Sequence, residues 1–165
     1  MDTKPTKRNG AAVALTAAAV TGLSVLAAVP AQAAPPRCGA DDVTVSTTEL
    51  PAPVAQERLY ELTIRATPGT TCLAGGAPQN MIFYGPSGAL PMPVDTPEPG
   101  TGEQVVVAAG QPAAVYLSGP KTNGPARATS VSFTLPGDTT PIHIGWVRGG
   151  VDGPLRAGTI TNPVS

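Results

Sequence analysis

The chain has 165 residues and a formal charge of −1, with 41% hydrophobic and only 13% charged residues, which sets its size at one ordinary domain. From Arg37 onward seven lysines and arginines face ten acids, a formal charge of −3. No basic block or stripe is present to release counterions, which argues against nucleic acid or an anionic membrane surface as partner.

In chain order, the first element is a basic start at Lys4, Lys7 and Arg8, followed from Ala11 to Val29 by Ala, Val, Leu, Thr, Ser and Gly alone. Pro30 and then Ala31-Gln32-Ala33 complete the pattern of a secretory signal peptide with an A-x-A site. Residues 1–33 are expected to be removed after Ala33, leaving 132 residues, 34–165, as a secreted domain with its core at about 38–164. An uncleaved membrane anchor is the alternative, because the apolar stretch approaches the ~20 residues that span a bilayer. Alanine richness and the A-x-A site favour cleavage, so the mature form is not expected to be embedded in a membrane. Cys38 follows Pro35-Pro36-Arg37 rather than small apolar residues, unlike a lipoprotein site, and Lys7-Arg8 is not a twin arginine. General secretion to the outside or the cell envelope is the predicted route.

Cys38 and Cys72 are the only cysteines, and in an oxidising compartment they are expected to form one disulfide. It would close a loop of 34 residues, worth about 3 to 4 kcal/mol by chain entropy. A redox role would call for C-x-x-C on a βαβ unit, and neither occurs. Residues Ala34-Pro35-Pro36 read as a loose tail up to Cys38.

The mature chain then alternates. Val43 to Glu49 is a short β-branched run; Tyr60, Leu62 and Ile64 alternate with Glu61, Thr63 and Arg65, as in a half-buried strand. Met81 to Tyr84, Gln104 to Ala108 and Ala114 to Ser118 follow. Val131, Phe133 and Leu135 alternate again, as do Ile142, Ile144 and Trp146, and Thr159 to Thr161 closes the series. The mature part holds 17 glycines and 18 prolines, about a quarter of its residues, a share that alone could signal disorder. Here they punctuate strands, at Pro68-Gly69, Gly75-Gly76, Gly85-Pro86-Ser87-Gly88, Gly110-Gln111-Pro112, Gly119-Pro120, Pro136-Gly137-Asp138 and Gly149-Gly150. Pro91 to Gly100 is the longest breaker-rich stretch and reads as an exposed loop or edge, the most mobile part. Helix should be nearly absent. Short strands at intervals of ~8 to 12 residues predict an all-β sandwich or barrel.

Arg37-Cys38 with Asp41-Asp42-Val43, then Thr70-Thr71-Cys72-Leu73-Ala74-Gly75-Gly76-Ala77-Pro78, resembles the exported actinobacterial domain-of-unknown-function family 4232, in which a cysteine precedes Gly by four and Pro by six residues. Val105 to Val115 is similar to a hydrophobic, glycine-bearing segment near the middle of that family, and the resemblance runs from about Arg37 to Val164. It implies a single immunoglobulin-like β-sandwich, secreted or on the surface, with the cysteines joined and no established activity. The chain departs from the family in lacking a second cysteine pair after Cys72 and the usual Asn before the second cysteine, with Ala66 or Thr67 near its place.

The chemical inventory is thin. His143 is the only histidine, and its place in an alternating strand beside Ile142 and Ile144 points it away from the core rather than into a triad. Gly85-Pro86-Ser87-Gly88-Ala89 fails the G-x-S-x-G pattern at its last position and reads as a turn. With one histidine and both cysteines oxidised, zinc lacks soft ligands. Asp41-Asp42 belongs to no calcium loop and reads as solvated turn acids, while Met81, Met92 and His143 match no copper spacing. Glycosidase chemistry needs two carboxylates ~5 to 10 Å apart, and the sequence selects no pair. Phosphate loops are absent. Of the aromatics, Trp146 belongs to the core, and Tyr84 or Tyr116 would be the first exposed stacking platform for a carbohydrate.

No catalytic, cofactor-binding or metal site is therefore assigned. The expectation is a non-enzymatic exported domain binding a protein or cell-envelope component through loops or a sheet edge. The alternative is a small extracellular hydrolase or hydrolase inhibitor, which would need a cleft of acids beside His143 or a rigid Pro91–Pro99 loop.

Overall fold

The computed structural model describes residues 33–98, 100–146 and 150–164, so the expected signal peptide lies outside the described residues apart from Ala33. The alternating segments are strands. β1 (Val43–Leu50) and β2 (Glu57–Ala66) form a long antiparallel hairpin in which Val45 opposes Ile64 and Thr47 opposes Leu62. β3 (Cys72–Gly75), β4 (Gln79–Gly85), β5 (Gly88–Ala89), β6 (Val94–Asp95) and β7 (Gln104–Val107) follow. Then come β8 (Ala113–Pro120), β9 (Ala126–Arg127), β10 (Ser130–Thr134), β11 (Pro141–Gly145), β12 (Gly150–Val151) and β13 (Leu155–Ala157). Among the described residues the only helical turn is a 3-10 turn at Ala40–Asp42, where Asp42 Oδ2 accepts the Gly39 N–H at 2.9 Å.

One sheet has the order β1-β2-β8-β13-β6, the other β11-β10-β4-β5, and two ribbons, β12-β9 and β3-β7, complete the all-β architecture. Among the described residues every pairing between these strands is antiparallel except β13 with β6; the isolated bridge from Arg37 to Leu73 is also parallel. Tyr60, Leu62 and Ile64 of β2 and Val115 and Leu117 of β8 are buried together with Phe83, Val131 and Phe133 of the other sheet in one cluster. Complete burial of side chains such as Leu62, Ile64 and Leu117 stabilises the fold by about 2 kcal/mol each. Trp146 joins the two sets, its ring centroid 4.8 Å from both Tyr60 and Phe83, edge-on to the latter. Its indole N–H is buried without a partner among the described residues.

The disulfide forms as expected between Cys38 and Cys72, whose Cα atoms lie 4.9 Å apart. Both cysteines are buried. The tail is shorter than expected: Leu73 donates to Pro36 O at 2.8 Å and its carbonyl accepts the Cys38 N–H at 2.9 Å, so the chain is held from Pro36 onward as an added strand on β3.

Several boundaries differ from the sequence reading. Gly119-Pro120 is not a turn but the end of β8, because a Cβ at Gly119 would lie 2.6 Å from Leu155 Cδ2 and 2.9 Å from Asp152 O. Glycine there permits close approach of another segment. Among the described residues the last strand is Leu155–Ala157; Thr159 to Thr161 is not a strand but is held by a bridge from Thr161 to Ala114 and by the Ile160 N–H on Gly76 O. Gly150 belongs to β12, and Gly149 lies outside the described residues. Within the proline-rich stretch Val94–Asp95 is an edge strand. Gly85-Pro86-Ser87-Gly88 is the two-residue turn of the β4–β5 hairpin, with Gly85 opposite Gly88.

Candidate functional site

The side chains singled out for chemistry stand apart. His143 is exposed on β11 opposite Ser132, Ser87 occupies the exposed hairpin turn, and Met81 is buried in the core while Met92 is half-buried. Among the described residues no group of three His, Cys, Asp or Glu could hold a metal ion, and no helix is long and apolar enough to cross a membrane. Tyr84 and Tyr116 are half-buried; the Tyr116 hydroxyl accepts the Val164 N–H at 2.9 Å. Asp42 is spent on local structure, its Oδ2 accepting the Gly39 N–H and its carbonyl accepting from the Thr67 N–H and hydroxyl.

A cleft of about 360 Å³ lies elsewhere, between Leu90–Pro93 and Asp152–Pro154, with Gly124 and Ala126 at one side. The first wall is built by proline and by three backbone bonds. Pro91 and Pro93 have no N–H to offer a ladder, while Leu90 donates to Phe83 O, Met92 to Leu90 O, and Pro93 O accepts from Leu155. The stretch is thereby tied at both ends to the sheets. The opposite wall turns at Gly153, where a Cβ would lie 2.8 Å from Met92 Cγ, and continues through a cis peptide bond to Pro154. The surface offered to a ligand is mostly apolar.

Behind the cleft sits a buried carboxylate. Asp152 is 4% exposed. Its Oδ1 accepts the Thr122 hydroxyl; Oδ2 accepts the Thr122 N–H and the Arg58 Nε–H, each at 3.2 Å. Arg58 also donates through Nη1 to Glu49 Oε1 at 3.0 Å. Desolvation works against the Arg58 charge, yet Tyr60 and the bonds to Glu49 and Asp152 hold its pKa above the ordinary value. With both carboxylate oxygens engaged, Asp152 is equipped to fasten the 122 and 152 loops together rather than to act as a base.

Tyr60 donates its O–H to Gly150 O at 2.8 Å. Burial, with Glu49 and Asp152 adding and Arg58 opposing, pushes its phenol up to about 12 from 10.0. A raised folded pKa means stability that is complete below the unfolded value and falls as pH rises toward the folded one. Between pH 10 and 12 the protein should therefore lose up to about 2 kcal/mol through this group. Urea unfolding of the protein and of Tyr60→Phe across this range checks it: the variant should lack this share of the decline.

Compared with family models, with curated proteins and with solved structures, the chain matches none. The sequence reading did not single out Asp152, Arg58 or Thr122. Val151-Asp152-Gly153-Pro154 has the look of a turn, and Arg58 that of an ordinary polar strand position. The one available pointer was Gly119-Pro120 at the end of an apolar run: a strand glycine that admits a neighbouring backbone.

Proposed function

We propose that the mature chain is an exported, non-enzymatic immunoglobulin-like β-sandwich that binds an apolar segment of a protein or cell-envelope component in the cleft between Leu90–Pro93 and Asp152–Pro154. The export pattern ending at Ala33 and the resemblance to family 4232 support the location. The strand orders β1-β2-β8-β13-β6 and β11-β10-β4-β5 support the sandwich reading, since both sheets contribute side chains to one buried cluster. The cleft itself carries the binding reading. Its walls are braced by proline and by the Asp152 bonds, so little loop ordering remains to be lost on binding.

The test is capture by the oxidised, processed protein from its host's culture supernatant and cell-wall extract, beside a reduced and alkylated control and Gly124→Trp. Gly124 lines the cleft, and a Cβ there meets nothing within 4 Å, so the indole can obstruct the opening at a stability change within about 0.5 kcal/mol. A component retained by the oxidised protein and lost at least tenfold with Gly124→Trp is the expected result. Equal retention by the variant, or none by the folded protein, would overturn it.

A further inference from the structure

A second surface, separate from the cleft, lies along β7. Leu73 spends both its N–H and its C=O on the Pro36–Cys38 segment. Backbone groups alternate in direction along a strand, so Cys72 and Ala74 turn theirs to β7, where they oppose Val107 and Val105. Gln104 and Val106 consequently direct their N–H and C=O away from β3. Among the described residues β7 has no second strand partner, and the chain bends off at Ala108, which pairs with Gln111.

Those open groups face a groove of about 560 Å³ whose other bank includes Pro112, Asn162 and Pro163. Thr161 exchanges both backbone bonds with Ala114 of β8, while the Ile160 N–H points the opposite way, to Gly76 O. An extended continuation turns the Asn162 backbone to the Ile160 side, toward the groove. Exposed edges are usually blunted by lysine, proline or a bulge. β7 has none of these: it reads Gln-Val-Val-Val, and the Val106 side chain is 43% exposed. Glu103 is the only charged residue lining the groove and makes no ion pair among the described residues.

We infer that the β7 edge is a docking site for one extended segment of a partner polypeptide, taken up by strand addition, with a β-branched apolar residue opposite Val106 and a basic residue beside Glu103. Main-chain bonds to Gln104 and Val106 supply attachment; the side chains facing Val106 and Glu103 select the sequence. Two banks of backbone favour a single inserted strand over the paired strands that a second copy of this edge would bring. The inference does not depend on the cleft: Gly124→Trp should leave it untouched.

The probe is a capped heptapeptide of alternating valine and threonine with lysine at each end, added to the oxidised protein while amide hydrogen exchange is followed residue by residue. Exchange at the Val106 and Gln104 amides should slow at least tenfold at saturation. Replacing the lysines by glutamate should weaken binding, and more so at low salt. Val106→Pro removes an open donor that the β3 ladder does not use, and should abolish the protection at the remaining reporter, the Gln104 amide, while the fold persists. A peptide N-methylated at its valines should also fail, which keeps the test decisive should that variant not fold. Unprotected Val106 at millimolar peptide, equal protection of the Gln104 amide in the folded Val106→Pro protein, or protection that rises with protein concentration without peptide would each overturn the inference, the last in favour of a second copy.

Discussion

Replacing Cys38 and Cys72 together by alanine lowers the unfolding free energy by about 3 to 4 kcal/mol, the value for opening a loop of this length in the unfolded chain. In a domain of this size each kcal/mol moves the midpoint by roughly 3 to 5 °C, so the thermal transition falls by about 9 to 20 °C. The loss reaches beyond chain entropy, because the bridge holds the Pro36–Cys38 segment against Leu73. Once that strand leaves, the Leu73 N–H and C=O lose their partners, and β3 offers a second open edge. Urea unfolding with and without reductant checks the result. The oxidised protein should drop to the stability of the double variant on reduction, and the variant should not respond to reductant. Thiol labelling of the unreduced protein should find neither cysteine. Equal midpoints for the oxidised protein and the variant would refute the staple.

The second large effect belongs to Asp152→Ala, expected to cost about 3 kcal/mol. Its carboxylate receives Arg58 and two donors from Thr122 in a site almost closed to water. Without it, Glu49 is the one acid left in an ion pair with the guanidinium among the described residues, and the Thr122 N–H and hydroxyl lose an acceptor beside the cleft. Arg58→Met in the same chain removes the stranded charge, so the loss in the double variant should be at least about 1 kcal/mol smaller than the sum of the two single losses. Chemical denaturation of the four proteins measures that coupling. The wall formed by Asp152–Pro154 should loosen as well, so ligand capture by Asp152→Ala should fall even at temperatures where the variant is folded. Additive losses would show that Arg58 and Asp152 do not act as a pair.

Much of the fold was legible because its cause is local. Alternation at Tyr60–Ile64 and Val131–Leu135 reflects the period of two that any strand with one buried face must carry, and these residues are the centre of the core. Turns at Gly85-Pro86-Ser87-Gly88 and Pro136-Gly137 were legible for the same reason: the backbone there needs residues tolerant of unusual angles, and Gly137 has φ +86°. The disulfide needed only a count of cysteines. Misreadings arose where a local pattern served a distant neighbour. Gly119 is a glycine for the sake of Leu155 and the Asp152 carbonyl, and Leu155–Ala157 becomes a strand because β8 and β6 lie on either side of it.

The candidate sites belong to that second class. Arg58 and Asp152 are 94 residues apart, and Thr122 and Asp152 are 30 apart. Neither spacing follows from any periodicity, so these side chains meet only when β2 and β8 pair and the chain returns beside them. The openness of β7 is a property of strand order, since the same Gln-Val-Val-Val would be silent between two neighbours. Local sequence thus determined which segments are strands and which two sulfurs join, because those depend on near neighbours and on composition. The tertiary structure decided the cleft, the buried carboxylate and the β7 edge that has no second strand partner among the described residues, because each is a relation between segments far apart along the chain.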